Sequence, residues 1–261
     1  VKNKLIRCVG DPQIRFKEDA LRILRALRFS AICGFNIEHK TETAIIHNRE
    51  LLKYISSERI MSELKKILLA DKPSDVLIRF ADVIDTCINY RPDIKYFKMI
   101  DLLPKDISLR MSALLGGADR KKISVILNNL KSEKKLKLSV CAIAENLDIE
   151  PPYTRSEMRR LLHRLGIKNT YNLLTFNTTR DLIYSNTSGF KDSLILLDEV
   201  IAGNDCFSLK TLAIDGTDII RLGISHGRKI GEILNHLLSL VIDGEIQNTR
   251  TELLKYAKKL I

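Results

Sequence analysis

The stretch RFKEDALRILRALRF, residues 15–29, places two adjacent acids ahead of an arginine at every third position. At 100° per residue, the apolar side chains in and just after this stretch form one stripe, and the charged side chains lie on the opposite face. The apolar stripe comprises Phe16, Ala20, Ile23, Leu24, Leu27 and Ala31. The pattern predicts a single amphipathic helix over residues 15–33 that packs through this stripe.

Apolar residues three and four positions apart recur along nearly the whole chain, while period-two alternation is short and rare. Strand character is confined to KLIRCVG near the start and GFNIE from Gly34. Helices are predicted at residues 15–33, 39–47, 57–70, 73–88, 107–115, 120–130, 137–146, 155–165, 169–176, 179–184, 190–202, 215–222, 227–242 and 248–260. The sequence therefore predicts an all-α fold, an elongated multi-helix array of consecutive small helical domains, with at most a remnant strand at the N-terminus.

Proline and glycine mark the expected breaks between helical modules. These breaks are predicted at Pro73, at Pro104, at the Gly116 and Gly117 pair, and at the Pro151 and Pro152 pair. Two helix starts carry capping signals. Ser74 is predicted as an N-cap, and Thr154 followed by Glu157 has the spacing of a capping box.

The net charge of +11 over 261 residues is large, and the excess is clustered. Residues 1–34 hold eight Lys and Arg against three acids, and residues 120–137 hold seven against one. Clustered positive charge favours a nucleic-acid partner over a membrane surface, with a merely solvated lysine-rich surface as the alternative. No apolar run reaches the roughly 18 residues of a membrane span, and the first residues lack the core of a secretory signal. We therefore expect a cytoplasmic protein without a membrane partner.

The five cysteines are dispersed and form no C-x-x-C pattern. Their number is odd, which argues against a disulfide framework, and their spacing argues against a zinc site. Buried free thiols are the expected outcome.

An acid and an arginine one helical turn apart can recognise a nucleotide base together. A carboxylate only accepts hydrogen bonds and a guanidinium only donates them. Cytosine and adenine present an amino donor beside a ring-nitrogen acceptor, whereas guanine and uracil present the reverse, so Asp19 with Arg22 fits C and A. Arg25 and Arg28 could hold this pair in place or meet a triphosphate. The alternative is a solvated helix face on which Glu18 and Asp19 form ion pairs with Arg22.

The segment IRCVGDPQIRFKEDALRILRALRF, followed by GFNIE, closely resembles the connection between head and neck in class II tRNA nucleotidyltransferases, the CCA-adding enzymes and their poly(A) polymerase relatives. Within it EDALR resembles the family's E-D-x-x-R template motif. The resemblance implies that Asp19 and Arg22 pair with incoming CTP or ATP. It also implies that Glu18, Arg25 and Arg28 belong to the nucleotide-binding site.

Two later stretches carry the resemblance along the chain. SSERIMSELKKIL resembles the next family motif, which implies that Glu58, Arg59 and Glu63 brace the template helix. LAIDGTDIIRLGISHGRKIGEILNHLLSLVIDGEIQN resembles the family tail. The implied domains are a remnant of the head or linker at 1–14, a neck at 15–77, a body at 78–182 and a tail at 183–261.

Three motifs of the family's head are missing from this sequence: a G-S pair, a D-x-D that binds two magnesium ions, and an R-R-D. Phosphoryl transfer by two metals needs carboxylates that hold both ions. The resemblance therefore implies that Mg²⁺ binds to a head that precedes this chain, and that these residues alone are inactive and bind no metal. The valine at position 1 also suggests a missing upstream piece.

The implied function is a share in a CCA-adding tRNA nucleotidyltransferase, which adds C and A to the tRNA 3′ end from CTP and ATP. Cations expected to contact tRNA phosphates are Arg120, Lys121, Lys122, Lys134, Lys135, Arg155, Arg159 and Arg160. An enzyme of the same family that adds only A, only C or a poly(A) tail is one alternative. A non-catalytic helical module that binds RNA or protein is another, and the sequence leaves a homodimer open.

Overall fold

The computed structural model describes residues 4–184, 189–224 and 227–260. Over these residues the chain forms fifteen α-helices, three short 3₁₀ helices and one pair of two-residue strands, which confirms the all-α prediction. The chain folds as two compact units: unit 1 comprises Val1–Asp148 and Thr179–Asn186, and unit 2 comprises Ile149–Thr178 and Thr187–Ile261. Within the described ranges, no helix combines the length and apolar character that crossing a bilayer requires.

Unit 1 begins with strand β1 (Leu5–Ile6), which pairs in parallel with β2 (Asn36–Ile37). Its helices up to residue 148 are α1 (Pro12–Glu18), α2 (Leu21–Cys33), α3 (His39–Asn48), α4 (Ser57–Leu68), α5 (Ser74–Arg79), α6 (Ala81–Ile88), α7 (Phe97–Leu102), α8 (Ile107–Leu114), α9 (Arg120–Asn129) and α10 (Lys134–Ala144). Two 3₁₀ helices cover Arg49–Tyr54 and Ile94–Tyr96. These two and α7 were not predicted, because six residues or fewer span less than two helical turns and show no periodicity.

The prediction of one helix over residues 15–33 is wrong. Asp19 separates α1 from α2 with an extended backbone, φ −150° and ψ 101°. Its side-chain Oδ1 accepts a hydrogen bond from the Leu21 amide over 3.1 Å. Aspartate side chains compete with the helix for backbone amides two residues on, which gives the break a local physical cause.

The prediction of one helix over residues 73–88 is also wrong, because Phe80 lies between α5 and α6 with φ −113° and ψ 32°. The proposed N-cap role of Ser74 is likewise wrong. Pro73 occupies the N-cap position, and the Ser74 amide donates to Oδ1 of Asp101 over 3.0 Å. A carboxylate from α7 therefore satisfies the free amide at the start of α5.

Helical backbone in Arg155–Tyr184, labelled α11, is interrupted at Gly166, whose φ of 75° and ψ of 163° are not helical. Residues of α11 up to Thr178 belong to unit 2, and those from Thr179 belong to unit 1. The other elements of unit 2 are α12 (Phe190–Ala202), a 3₁₀ helix (Leu209–Thr211), α13 (Gly216–Arg221), α14 (Gly227–Asp243) and α15 (Arg250–Ala257). The predicted capping box is confirmed. The Glu157 amide donates to Oγ1 of Thr154 over 3.2 Å, and the Glu157 carboxylate accepts from the Thr154 amide over 3.0 Å.

The core around α2 follows the predicted apolar stripe. All six stripe residues are buried, and Ile23, Leu24 and Leu27 have no exposed surface. The stripe packs against α4. Burying each large aliphatic side chain contributes roughly 1.5–3 kcal/mol, so apolar contact holds the two helices together. This packing also brings Arg59 and Glu63 of α4 within hydrogen-bond distance of Asp19 and Arg28.

Candidate functional site

The helix break at Asp19 gives the charged side chains of residues 15–29 different partners from those expected on one helix. Oε2 of Glu18 accepts hydrogen bonds from Arg15 over 2.6 Å and from Arg22 over 2.9 Å. The expected ion pair of Glu18 with Arg22 therefore forms across the junction of α1 and α2. The expected pair of Asp19 with Arg22 does not form in the structure, because the Asp19 carboxylate is turned toward α4.

Asp19 pairs with Arg59 of α4. Nη2 of Arg59 lies 3.2 Å from Oδ2 and 3.5 Å from Oδ1 of Asp19. The Asp19 side chain keeps 29% of its surface exposed, and the Arg59 side chain keeps 51%. An ion pair this exposed contributes about 0–1 kcal/mol, so exchanging it for a ligand costs little.

Two cavities adjoin the junction of α1 and α2. The first cavity, about 300 Å³, is bordered by Arg22, Arg25 and the ring of Phe29. The second cavity, about 520 Å³, is bordered by Asp19 and Arg59. Asp19 and Arg22, which were predicted to act together, thus border different cavities. On one continuous helix their side chains would lie side by side, but the backbone break at Asp19 separates them.

The remaining two arginines of the stretch differ in environment. Arg25 is exposed and makes no ion pair with a described residue. Nη1 of Arg28 lies 3.0 Å from Oε1 and 2.9 Å from Oε2 of Glu63, and its guanidinium lies 4.4 Å above the ring of Phe29. The Arg28 and Glu63 side chains are only 14% and 8% exposed. Arg28 therefore links α2 to α4 through an ion pair that is mostly shielded from water, whereas Arg25 is available to a ligand.

Of the three residues expected to brace the segment, Arg59 and Glu63 contact it directly. Glu63 also accepts a hydrogen bond from Lys66 over 3.2 Å, so two cations share its charge. Glu58 instead accepts a hydrogen bond from Lys131 over 2.6 Å. That bond lowers the pKa of the Glu58 carboxyl below its ordinary value.

All four arginines expected to bind tRNA are engaged in ion pairs. Arg120 lies 2.5 Å from Glu145. In unit 2, Arg155 and Arg159 approach Asp205 at 2.6 and 3.8 Å, and Arg160 lies 2.7 Å from Asp243.

The lysines expected to bind tRNA are less constrained. Lys122 donates to the Asn89 carbonyl over 3.5 Å and lies 5.8 Å from the ring of Tyr90. The other three are exposed and form no ion pair with a described residue: Lys121, Lys134 and Lys135. These three are the better candidates for phosphate contact, because no carboxylate must be displaced first.

Sequence reasoning missed two residues of the second cavity. Tyr54 and Lys17 both border it, and both are exposed. Tyr54 ends a 3₁₀ helix and belongs to no motif, so nothing in the sequence singles it out. Among the described residues, no three His, Cys, Asp or Glu side chains come together as a metal-binding group.

Two family models match the chain. Residues 34–82 match the one described as "Probable RNA and SrmB- binding site of polymerase A", and residues 110–257 match "tRNA nucleotidyltransferase domain 2 putative". The second match covers more than half of the chain. Both models describe parts of nucleotide-polymerising enzymes that act on RNA, which defines the class of protein.

Curated relatives agree with these models. The chain is 31% identical over 272 residues to the CCA-adding enzyme of Pediococcus pentosaceus, covering 100% of this chain and 65% of the relative. It is 29% identical over 269 residues to the CCA-adding enzyme of Staphylococcus saprophyticus, covering 99% and 65%. The chain belongs to the tRNA nucleotidyltransferase and poly(A) polymerase family, and it spans about 65% of the length of these relatives.

Solved structures share the fold. The crystal structure of the Bacillus stearothermophilus CCA-adding enzyme in complex with CTP has a TM-score of 0.77 and 25% identity, covering 99% of this chain and 66% of that one. The Thermotoga maritima CCA-adding enzyme complexed with tRNA has a TM-score of 0.59 and 21% identity, covering 98% and 64%. The second likeness concerns the fold alone.

Proposed function

We propose that this chain is the nucleotide-selecting and tRNA-binding part of a cytoplasmic CCA-adding tRNA nucleotidyltransferase, which adds C and A to the tRNA 3′ end from CTP and ATP. The relatives named as CCA-adding enzymes support the proposal, and they match this chain over almost all of its length. Joining the nucleotides requires Mg²⁺ held by a catalytic domain outside these residues. A homodimer stays a prediction.

One observation carries the nucleotide-binding part of the proposal. The Asp19 carboxylate and the Arg22 guanidinium both remain partly exposed at one junction, each in an ion pair that water reaches. Such pairs exchange at little cost. When a nucleotide binds, the Asp19 side chain turns from Arg59 toward Arg22, and the two present an acceptor beside a donor to cytosine or adenine. Arg25, which has no acid partner among the described residues, meets the phosphates.

The proposed roles of the other residues follow from their contacts. Arg28 holds α2 to α4 through Glu63 and contributes to the site by fixing the helix, and Arg59 orients Asp19 in the absence of a nucleotide. The neck at 15–77 carries these groups. The body at 78–182 and the tail at 183–261 bind the tRNA backbone through exposed cations, with affinity that falls as salt rises.

The test restores the catalytic domain. The N-terminal region of the Bacillus stearothermophilus relative is joined ahead of residue 1, and incorporation of each nucleotide into tRNA is measured. We expect Asp19→Ala to reduce the preference for C and A over U and G roughly five- to 150-fold, because a bidentate base contact contributes about 1–3 kcal/mol of discrimination. Asp71→Ala is the matched control, since Asp71 pairs with Lys105 and belongs to no proposed site.

The outcomes separate the alternatives. Unchanged base preference in the Asp19→Ala fusion would refute the role of Asp19. Sequencing the products distinguishes CCA addition from A-only, C-only or poly(A) addition. Salt-dependent tRNA binding without any incorporation by an otherwise active head would favour a non-catalytic RNA-binding module.

A further inference from the structure

A third cavity, about 330 Å³ in volume, is lined by the segment 149–152 and by one face of α11, all within unit 2. Its apolar lining is aliphatic and comes from four residues: Ile149, Pro151, Pro152 and Leu161. Both prolines and Leu161 are buried. None of the described residues that line the cavity carries an aromatic ring on which a nucleic-acid base could stack. The cavity therefore offers a surface that suits an aliphatic group.

Both walls of the third cavity are held in place. The two prolines fix their own φ angles, so the segment 149–152 has few conformations open to it. The Pro152 carbonyl also accepts a hydrogen bond from Oγ of Ser193 over 2.9 Å. The other wall is helical, and the capping box of Thr154 and Glu157 fixes where that helix starts. A site of fixed shape loses little conformational entropy when a ligand binds.

Two acids and two arginines line the third cavity, so their formal charges sum to zero. One group of each sign is already engaged within the protein. The Glu157 carboxylate accepts hydrogen bonds from two backbone amides, and Arg160 lies 2.7 Å from Asp243. Glu150 and Arg164 are both exposed, and neither forms an ion pair with a described residue. The cavity thus has one available carboxylate and one available guanidinium beside its aliphatic surface.

We infer that the third cavity binds a free aliphatic α-amino acid, with its ammonium group at Glu150, its carboxylate at Arg164 and its side chain against Leu161 and the prolines. A ligand with a single charge leaves one of the two groups without a partner. A zwitterion offers a donor to the carboxylate and an acceptor to the guanidinium. A nucleotide or an RNA phosphate fits less well, because Glu150 repels it. The volume lies at the lower end of the range for small-molecule sites, which suits a single amino acid.

The test measures binding of three ligands with one branched skeleton to the 261-residue chain by NMR titration. L-Leucine carries both charges, 4-methylpentanoate lacks the ammonium group, and 3-methylbutylamine lacks the carboxylate. We expect L-leucine to bind with a Kd on the order of 1 mM, as is usual for a ligand of about nine non-hydrogen atoms in an open site. Each single-charge ligand should bind roughly three- to tenfold more weakly, because it loses one charge-assisted hydrogen bond that water partly screens.

Two variants assign the charges to residues. Glu150→Gln should weaken binding of L-leucine by a similar factor without weakening that of 4-methylpentanoate, because that ligand offers no ammonium group to the acid. Arg164→Gln should weaken binding of L-leucine without weakening that of 3-methylbutylamine, which has no carboxylate. Lys229→Gln, which removes an exposed cation on α14, is the matched control and should change none of the three affinities.

Several results would overturn the inference. Equal affinity for the three ligands, or undiminished L-leucine binding in both variants, would mean that only the aliphatic surface contributes. Tighter binding of 4-methylpentanoate than of L-leucine would mean that the site prefers an anion, and tighter binding of leucyl-leucine would mean that it takes a peptide. The cavity belongs to unit 2, whereas Asp19 and Arg22 belong to unit 1, so each of these results leaves the proposed function as it stands.

Discussion

Residues 15–29 and residues 155–164 each carry four arginines on helical backbone, yet their arginines have different surroundings. In the first stretch, Arg22 and Arg25 border a cavity, and the acid that holds Arg22 is itself exposed. In the second stretch, two of the four arginines approach one acid, Asp205, whose side chain is mostly shielded from water. Spacing along a helix determines which side chains are neighbours, but an acid from another segment decides whether their charges are available to a ligand.

The largest expected effect concerns Arg28, the arginine of residues 15–29 whose acid partner, Glu63, is buried. Glu63→Ala leaves the Arg28 guanidinium without its carboxylate, where only 14% of that side chain reaches water. Removing one partner of a buried ion pair typically costs about 3–5 kcal/mol. We expect a loss of that size in the free energy of unfolding, measured by urea titration with circular dichroism. Glu18→Ala, which breaks an exposed pair, should cost less than about 1 kcal/mol. Equal losses would contradict the distinction between Arg28 and Arg22.

An intermediate effect is expected at Asp205, whose side chain is 11% exposed. Asp205→Ala removes the carboxylate that accepts hydrogen bonds from Arg155 and that lies near Arg159. The free energy of unfolding should therefore fall by about 2 kcal/mol. The same change raises the net charge and should strengthen RNA binding at low salt in a filter-binding assay. Weaker binding would mean that the ion-paired arrangement itself contacts RNA, which would remove the contrast between the two stretches.

The smallest expected effect is the pH dependence of the capping box. Hydrogen bonds from the Tyr153 and Thr154 amides lower the pKa of the Glu157 carboxyl below its ordinary value of 4.5. A depressed pKa in the folded state stabilises the protein above pH 4.5, and this contribution disappears as the pH falls through the folded-state pKa. Glu157→Ala removes an exposed acid from the first turn of α11, so it should cost roughly 0.3–1 kcal/mol at neutral pH, and its unfolding curve should approach that of the wild type in acid. A difference independent of pH would exclude the charged carboxylate as the cause.

The sequence predicted the elements whose cause is local. The buried stripe of α2, the capping box of Thr154 and Glu157, and both strand segments follow from periodicity and capping chemistry within a few residues. The family itself was confirmed by two family models, which match residues 34–82 and 110–257, and by curated relatives that match almost the whole chain. The roles assigned to individual site residues stay predictions.

The break at Asp19 could have been anticipated only in part. An aspartate that bonds an amide two residues on is a known competitor of the helix, but the strong apolar stripe on either side masked that signal. The Phe80 break is marked by no proline or glycine in the sequence. The capping of Ser74 by Asp101 had no local signal, because the carboxylate comes from another helix. Tyr54 was missed for a similar reason: its exposure beside a cavity is a property of the folded surface.

The sequence by itself determined an all-helical chain, its apolar faces, its clustered positive charge and its family. Only the tertiary structure decided which charges are available, by pairing Arg28 with Glu63, Asp19 with Arg59 and Arg155 with Asp205, and leaving Arg25 and Lys17 without acid partners among the described residues. The physical reason is the sequence separation between the residues that interact. Helix formation and capping act over three or four residues, whereas each of these ion pairs joins residues 35 to 50 positions apart, which only the packed fold brings together.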